Sequence, residues 1–123
     1  MSTTSLTGGT FAETVERDGI VLVDFWAEWC GPCRAFAPVF EAAAEAHPDI
    51  VFGKVDTEAE QQLAAAAGIR SIPTLMAFRD GVLVFSQPGA LPADALGELI
   101  TAVRGLDMDQ VRAEVAARTP RSA

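Results

Sequence analysis

Cys30 and Cys33 are the only cysteines in this 123-residue chain, and they sit in Trp29-Cys30-Gly31-Pro32-Cys33. Residues i and i+3 on a helical turn share one face, so a helix carrying both cysteines lets the sulfurs meet. Such a pair is a dithiol that can close to a disulfide and reopen by exchange with another disulfide. The attacking species in that exchange is a thiolate, so the chemistry depends on what lowers a thiol's pKa.

The elements around the pair supply that. Ile20 to Trp26 is a β-branched and aromatic run that reads as a buried central strand. After Cys33 the apolar positions Phe36, Val39, Phe40, Ala43 and Ala44 take helical spacing. A strand therefore delivers Cys30 to the mouth of a helix, and Pro32 fits the first turn, where a missing N–H costs nothing. Unpartnered N–H groups and the helix dipole favour a thiolate there. Cys30 is accordingly expected to be the exposed nucleophile. Cys33, one turn in, is expected to be the more buried, resolving thiol. Half a zinc site is the competing reading, but structural zinc takes four ligands and His47 is the one further candidate. At the standard helical rise His47 lies about 20 Å from Cys33, which excludes both that site and a Cys–His nucleophile pair.

Asp24 is the anomaly of the strand. It stands between Val23 and Phe25 where a carboxylate is costly to ionise, and burial raises the pKa of such a group.

The remaining elements follow in order. Residues 1 to 5 are small and polar and are expected to be loose. Thr10 with Glu13 has capping-box spacing for a short helix to about Arg17, and Thr57 with Glu60 has it for an alanine-rich helix ending near Gly68. Pro38 is expected to kink the cysteine helix, which should end at His47-Pro48. Strands are expected at Ile50 to Val55, Thr74 to Phe78 and Val82 to Ser86, the last two joined by a tight Asp80-Gly81 turn. Pro92 should open a helix ending at Gly105, with Ala95, Leu96, Leu99, Ile100 and Val103 on one face. The expected architecture is one α/β domain over 1–105 with a mixed five-stranded sheet flanked by helices on both faces. A C-terminal extension, 106–123, holds a lightly docked helix over 108–118. That helix is capped by Asp107 with Gln110 and carries the thin stripe Met108, Val111 and Val115.

Half of the residues are apolar and the net charge is −8, which argues against nucleic acid or an anionic membrane surface as partner. The first residues carry no basic and apolar pattern of a signal peptide, and no apolar run reaches membrane-spanning length. A cytoplasmic location follows as the expectation, and there the dithiol is kept largely reduced.

The segment Asp24-Phe25-Trp26-Ala27-Glu28-Trp29-Cys30-Gly31-Pro32-Cys33 resembles the active-site stretch of the thioredoxin family. The likeness continues through Lys54-Val55-Asp56, Gly68-Ile69-Arg70-Ser71-Ile72-Pro73-Thr74, Asp80-Gly81 and Gly89-Ala90, roughly residues 5 to 105. It implies a protein-disulfide reductase, with Cys30 attacking the target, Cys33 resolving and Asp24 relaying the Cys33 proton with Lys54 in the same pocket. It also implies that Pro73 is a cis-proline facing the reactive cysteine. Trp29, Gly31, Pro32, Ile72, Pro73, Gly89 and Ala90 would form a shallow groove for an extended target chain. Pro88 departs from the apolar residue usual before that glycine, and Arg34 stands where lysine is common. Trp26 reads as core and loop support. The implied partners are disulfide-containing target proteins and an NADPH-dependent flavoprotein, thioredoxin reductase. A monomer with no bound cofactor or metal is expected, its redox-active group being the Cys30-Cys33 dithiol or disulfide. Two other functions are open to the same residues. One is a thiol oxidase or isomerase, against which Gly31-Pro32 argues. The other is an accessory that binds partners through the groove without catalysis.

Overall fold

A computed structural model describes residues 2–118. Five strands form one sheet in the order β1-β3-β2-β4-β5. They are β1 (Thr3–Ser5), β2 (Ile20–Trp26), β3 (Val51–Asp56), β4 (Thr74–Arg79) and β5 (Val82–Pro88). β1, β3 and β2 run parallel, and β4 joins β2 antiparallel. Helices α1 (Phe11–Val15), α2 (Gly31–Ala46) and α3 (Gln61–Ala66) lie between the first four strands, and α4 (Ala93–Arg104) and α5 (Met108–Arg118) follow β5. The expected class holds, with a mixed five-stranded sheet, helices on both faces and an added terminal helix.

Alternation along β2 sorts the core into two layers. Ile20 and Leu22 pack with Phe36, Phe40 and Ala44 of α2 and Leu96, Ile100 and Val103 of α4. Phe40 links α2 to β3 by an edge-on contact with Phe52, ring centroids 5.2 Å apart. Val21, Val23 and Phe25 point the other way, into a layer with Val15, Val55, Met76 and Phe78. The two faces matter for the chemistry. Asp24 and Trp26 continue the Ile20–Leu22 row, so they belong to the face that α2 covers.

Residues 3–5, expected to be loose, are instead a strand. Thr3, Thr4 and Ser5 pair with Phe52, Gly53 and Lys54, and the Leu6 amide donates to the Lys54 carbonyl at 2.8 Å. A Cβ on Gly53 would lie 2.5 Å from Leu6 Cδ1, so only glycine lets buried Leu6 close that edge. Two expected capping boxes also fail to form. The Thr10 hydroxyl accepts from the Thr7 amide, and the Thr57 hydroxyl donates to the Trp26 carbonyl. The Thr10 hydroxyl is taken up in the turn from Thr7, and α3 starts only at Gln61, so Thr57 caps no helix. α3 ends as expected: the Gly68 and Ile69 amides donate to the Ala65 and Ala64 carbonyls with Gly68 at φ 75°, a Schellman motif.

The β4–β5 turn places Asp80 at φ 52° and Gly81 at φ 82°, the left-handed pair that a two-residue hairpin needs. α5 spans Met108–Arg118 as the sequence indicates, and Asp107 Oδ1 accepts from the Asp109 and Gln110 amides. Within that helix Met108 alone is buried. Its approach is fixed by Arg79, whose Nη1 donates to the carbonyls of Val103, Arg104 and Leu106. Residues 119–123 of the expected extension lie outside the described residues.

Candidate active site

β2 ends at Trp26 and α2 begins at Gly31, so the intervening turn carries Cys30 to the helix N-cap. Cys30 is extended there (φ −86°, ψ 112°), and its sulfur accepts the Cys33 amide hydrogen at 3.2 Å. That contact uses one of the amides a helix start leaves unpaired, and it favours negative charge on this sulfur. The Cα atoms of Cys30 and Cys33 are 5.2 Å apart and the sulfurs are joined in a disulfide. Pro32 occupies the first turn, and α2 runs without a break through Pro38 to Ala46. The two cysteines differ less in burial than the sequence reading expects. Cys30 is 4% exposed and Cys33 2%, so the contrast between them rests on the N-cap contact.

The opposite wall is the loop before β4. The Ile72-Pro73 peptide is cis, and the Ile72 carbonyl oxygen lies 3.7 Å from Cys30 Sγ. Thr74 Oγ1 donates to the Ser71 carbonyl at 2.6 Å, which ties the loop to the strand start. The Gly89 amide donates to the Pro73 carbonyl at 2.8 Å, bringing Gly89-Ala90 alongside. Gly89 sits at φ 106°, a conformation that an L side chain rarely adopts. Pro88 closes β5 opposite Thr74 and is exposed.

Trp29 is the most exposed large apolar residue described, at 66%. Beside it an open hollow of about 330 Å³ is lined by Thr57, Ala64, Ile69, Arg70, Ser71 and Ile72. Gly31, Pro32, Gly89 and Ala90 are exposed, Ile72 is half-buried and Pro73 is buried. Of the residues expected to form the groove, Ile72 packs against the cysteine pair and Pro73 is bonded to Gly89, while Ile69, Arg70 and Ser71 line the hollow beside Trp29. The sequence carried a signal for these three in the Gly68-to-Thr74 stretch, without a role. Arg34 reaches away from the sulfurs to the Glu28 carbonyl.

Asp24, on the β2 row that faces α2, is 1% exposed, and neither of its carboxyl oxygens has a hydrogen-bond partner. Burial pushes its pKa from 3.8 up to about 7, opposed by the positive charge of Lys54. Lys54 is the residue opposite Asp24 in the β2–β3 register. Its ammonium lies 4.9 Å from the centroid of the Trp26 ring, and no ion pair joins it to Asp24. Trp26 also packs against the cluster of Ala27, Cys30 and Cys33. The contact of Lys54 with Trp26 is one that the sequence reading missed, because no spacing rule reports a diagonal pair across parallel strands.

His47 is far from the sulfurs, at the other end of α2, where Nδ1 meets Arg104 Nη2 at 3.1 Å. Among the described residues no group of three or more His, Cys, Asp or Glu side chains is placed to hold a metal. No helix among them is long and apolar enough to cross a membrane.

Comparison with known proteins points one way. The thioredoxin family model matches residues 2–102. A Streptomyces coelicolor protein provisionally named thioredoxin 2 is 62% identical over 94% of this chain and 86% of its own length. Thioredoxin 1 of Synechococcus elongatus is 46% identical over 78% of this chain and 92% of its own. Among solved structures, a single-substitution mutant of a thioredoxin from Halobacterium salinarum superposes with a TM-score of 0.78 at 37% identity, covering 85% of this chain and 93% of that one.

Proposed function

The chain belongs to the thioredoxin family of thiol-disulfide oxidoreductases, with protein-disulfide reductase activity, and from that membership we propose how its residues divide the reaction. The Cys30 thiolate attacks one sulfur of a target disulfide, forming a mixed disulfide and expelling the other target sulfur as a thiolate. Cys33 then passes its proton to the Asp24 carboxylate and attacks Cys30. The bond between Cys30 and the target breaks, the second target sulfur leaves, and Cys30 and Cys33 close their disulfide. Two electrons move from this dithiol to the target.

The observation that supports this division most directly is the partnerless carboxyl of Asp24 on the face that α2 covers. A carboxyl with a pKa near 7 is half ionised at neutral pH, where a base for a thiol is needed. Lys54 supplies the opposing charge that keeps the ionised form accessible. The target chain lies in extended form across Trp29, Gly31, Pro32, Ile72, Pro73, Gly89 and Ala90, pairing with backbone near Ile72 and Ala90. Pro88 has no N–H to offer and the Gly89 N–H is taken by the Pro73 carbonyl, so donation on that side begins at Ala90 or beyond.

The direction is reductive, as the Gly31-Pro32 dipeptide of the resemblance indicates. An NADPH-dependent flavoprotein, thioredoxin reductase, returns the electrons. We place the protein in the cytoplasm as a monomer, with residues 1–105 as the reductase unit and 106–123 as an appendage. The test is NADPH consumption with thioredoxin reductase and insulin as the disulfide substrate. Reduction of insulin with steady NADPH oxidation supports the reading. Binding of target proteins without turnover of their disulfides contradicts it.

A further inference from the structure

From the placement of Lys54 over the Trp26 ring, opposite a carboxyl it does not reach, we propose that Trp26 is a positioning residue that holds the Lys54 ammonium off the Asp24 carboxyl. The proposal deepens the assignment of Asp24 as proton relay and rests on it for its functional meaning.

Three side chains on adjacent parallel strands meet on one face of the sheet. Asp24 and Trp26 are two apart on β2, so they point the same way, and Lys54 is the cross-strand neighbour of Asp24. A lysine so placed has two attractive positions within reach. One is the carboxylate; the other is the negative face of the indole. The structure places it on the indole, 4.9 Å from the ring centroid, with both Asp24 oxygens left unpaired.

The choice matters because an opposite charge at ion-pair distance lowers a carboxyl pKa by about 1 to 3 units. A Lys54 closed on Asp24 would undo much of what burial does, and Asp24 would be too weak a base near neutral pH. The other charged groups nearby are committed elsewhere. Asp56, opposite Trp26, accepts from the Glu58 and Ala59 amides. Arg34 of α2 turns to the Glu28 carbonyl. The β4 residue opposite Asp24 is Leu75, and Cys30 and Cys33 are disulfide-bonded. Lys54 is the charge left to set Asp24, and Trp26 is what Lys54 touches.

The test is an NMR titration of the Asp24 side-chain carboxyl in the disulfide form, where no cysteine titrates. Trp26→Leu is expected to lower the midpoint by about 1 unit, as Lys54 is released onto the carboxylate. Trp26→Phe keeps an aromatic face and is expected to restore most of the parent midpoint. In a Lys54→Met background, Trp26→Leu should produce no downward shift. An unchanged midpoint in Trp26→Leu, or the same fall with Lys54 absent, overturns the proposal. The parent protein offers a check that needs no folded variant. The Lys54 ε-methylene protons should show the upfield displacement of a ring-stacked group at pH 5, and its absence also overturns the proposal. If the midpoint moves as expected while the pH profile of insulin reduction stays fixed, the positioning stands and the proton-relay role of Asp24 falls.

Discussion

The two ends of α2 treat an aspartate in opposite ways. At the C-terminal end Asp49 is exposed, Arg104 grips both of its oxygens at 2.7 and 3.0 Å, and its pKa is lowered to about 2 by that hydrogen bonding. His47, the helix cap, leans on the same guanidinium. On β2, the strand that leads into the N-terminal end, Asp24 is buried, its oxygens have no partner and its pKa rises to about 7. Satisfying a carboxylate makes it a fastener and a very weak base. Withholding partners makes it costly to the fold and chemically useful. The satisfied carboxylate sits at the end of α2 far from the cysteines, and the unsatisfied one sits on the strand that leads to them.

The largest effect should come from the sulfurs at the N-terminal end. Cys30→Ser should abolish insulin reduction, and Cys33→Ser should accumulate stable mixed disulfides with target proteins that run as adducts on non-reducing gels. With both thiols nearly inaccessible, this asymmetry has to come from the Cys33 amide that Cys30 accepts. Equal trapping by the two variants would break the assignment of roles.

A smaller effect belongs to the appended helix. Met108 is its one buried side chain, so Met108→Ala should cost about 2 kcal/mol in denaturant unfolding. Removal of residues 106–123 should leave insulin reduction unchanged. Loss of activity on truncation would draw α5 into the site and sink the proposed boundary at 105.

The smallest effect lies at the Asp49 end. There the folded pKa is depressed, so the stabilisation is present above the unfolded value of 3.8 and disappears as pH falls through about 2. Asp49→Asn should therefore be slightly less stable than the parent at pH 7 and equal to it below pH 2. The difference should shrink with added salt, since the pair is exposed. Insulin reduction should be unaffected. A marked drop in activity would mean that the two ends of α2 are not independent.

Much of this was legible in the residues alone. β2 and α5 fall on their expected boundaries, because a β-branched and aromatic run, even one holding Asp24, and an Asp cap followed by good helix formers are strong local signals. β1 was not legible: Thr3-Thr4-Ser5 has no apolar pattern and is a strand only because β3 offers an edge to pair with. The capping boxes at Thr10 and Thr57 failed because the turn from Thr7 takes the Thr10 hydroxyl and α3 begins four residues after Thr57, at Gln61. In the site, the cysteine pair and the odd position of Asp24 could be read directly. Lys54 was placed beside Asp24 only through the family resemblance, and its relation to Trp26 depends on strand register. Pro73 and Gly89, far apart in sequence, are joined by a backbone bond from the Gly89 amide to the Pro73 carbonyl across the β4–β5 hairpin.

The central claim is that Asp24 is a buried carboxyl kept for function at the expense of the fold, and unfolding at two pH values tests it most directly. Its folded pKa of about 7 exceeds the unfolded 3.8, so between these values the native state holds a proton that the unfolded chain has released. Stability contributed by this group therefore falls as pH rises from about 4 to 7, and above 7 the full penalty persists. Asp24→Asn removes the ionisation. In denaturant titrations the variant should gain on the parent as the pH is raised from 5 to 8, ending on the order of a few kcal/mol more stable at pH 8. Its insulin reduction should be slower by about 10²-fold, the low end of what a positioned base contributes. A variant less stable than the parent at pH 8 would show that Asp24 is not the strained carboxyl described here.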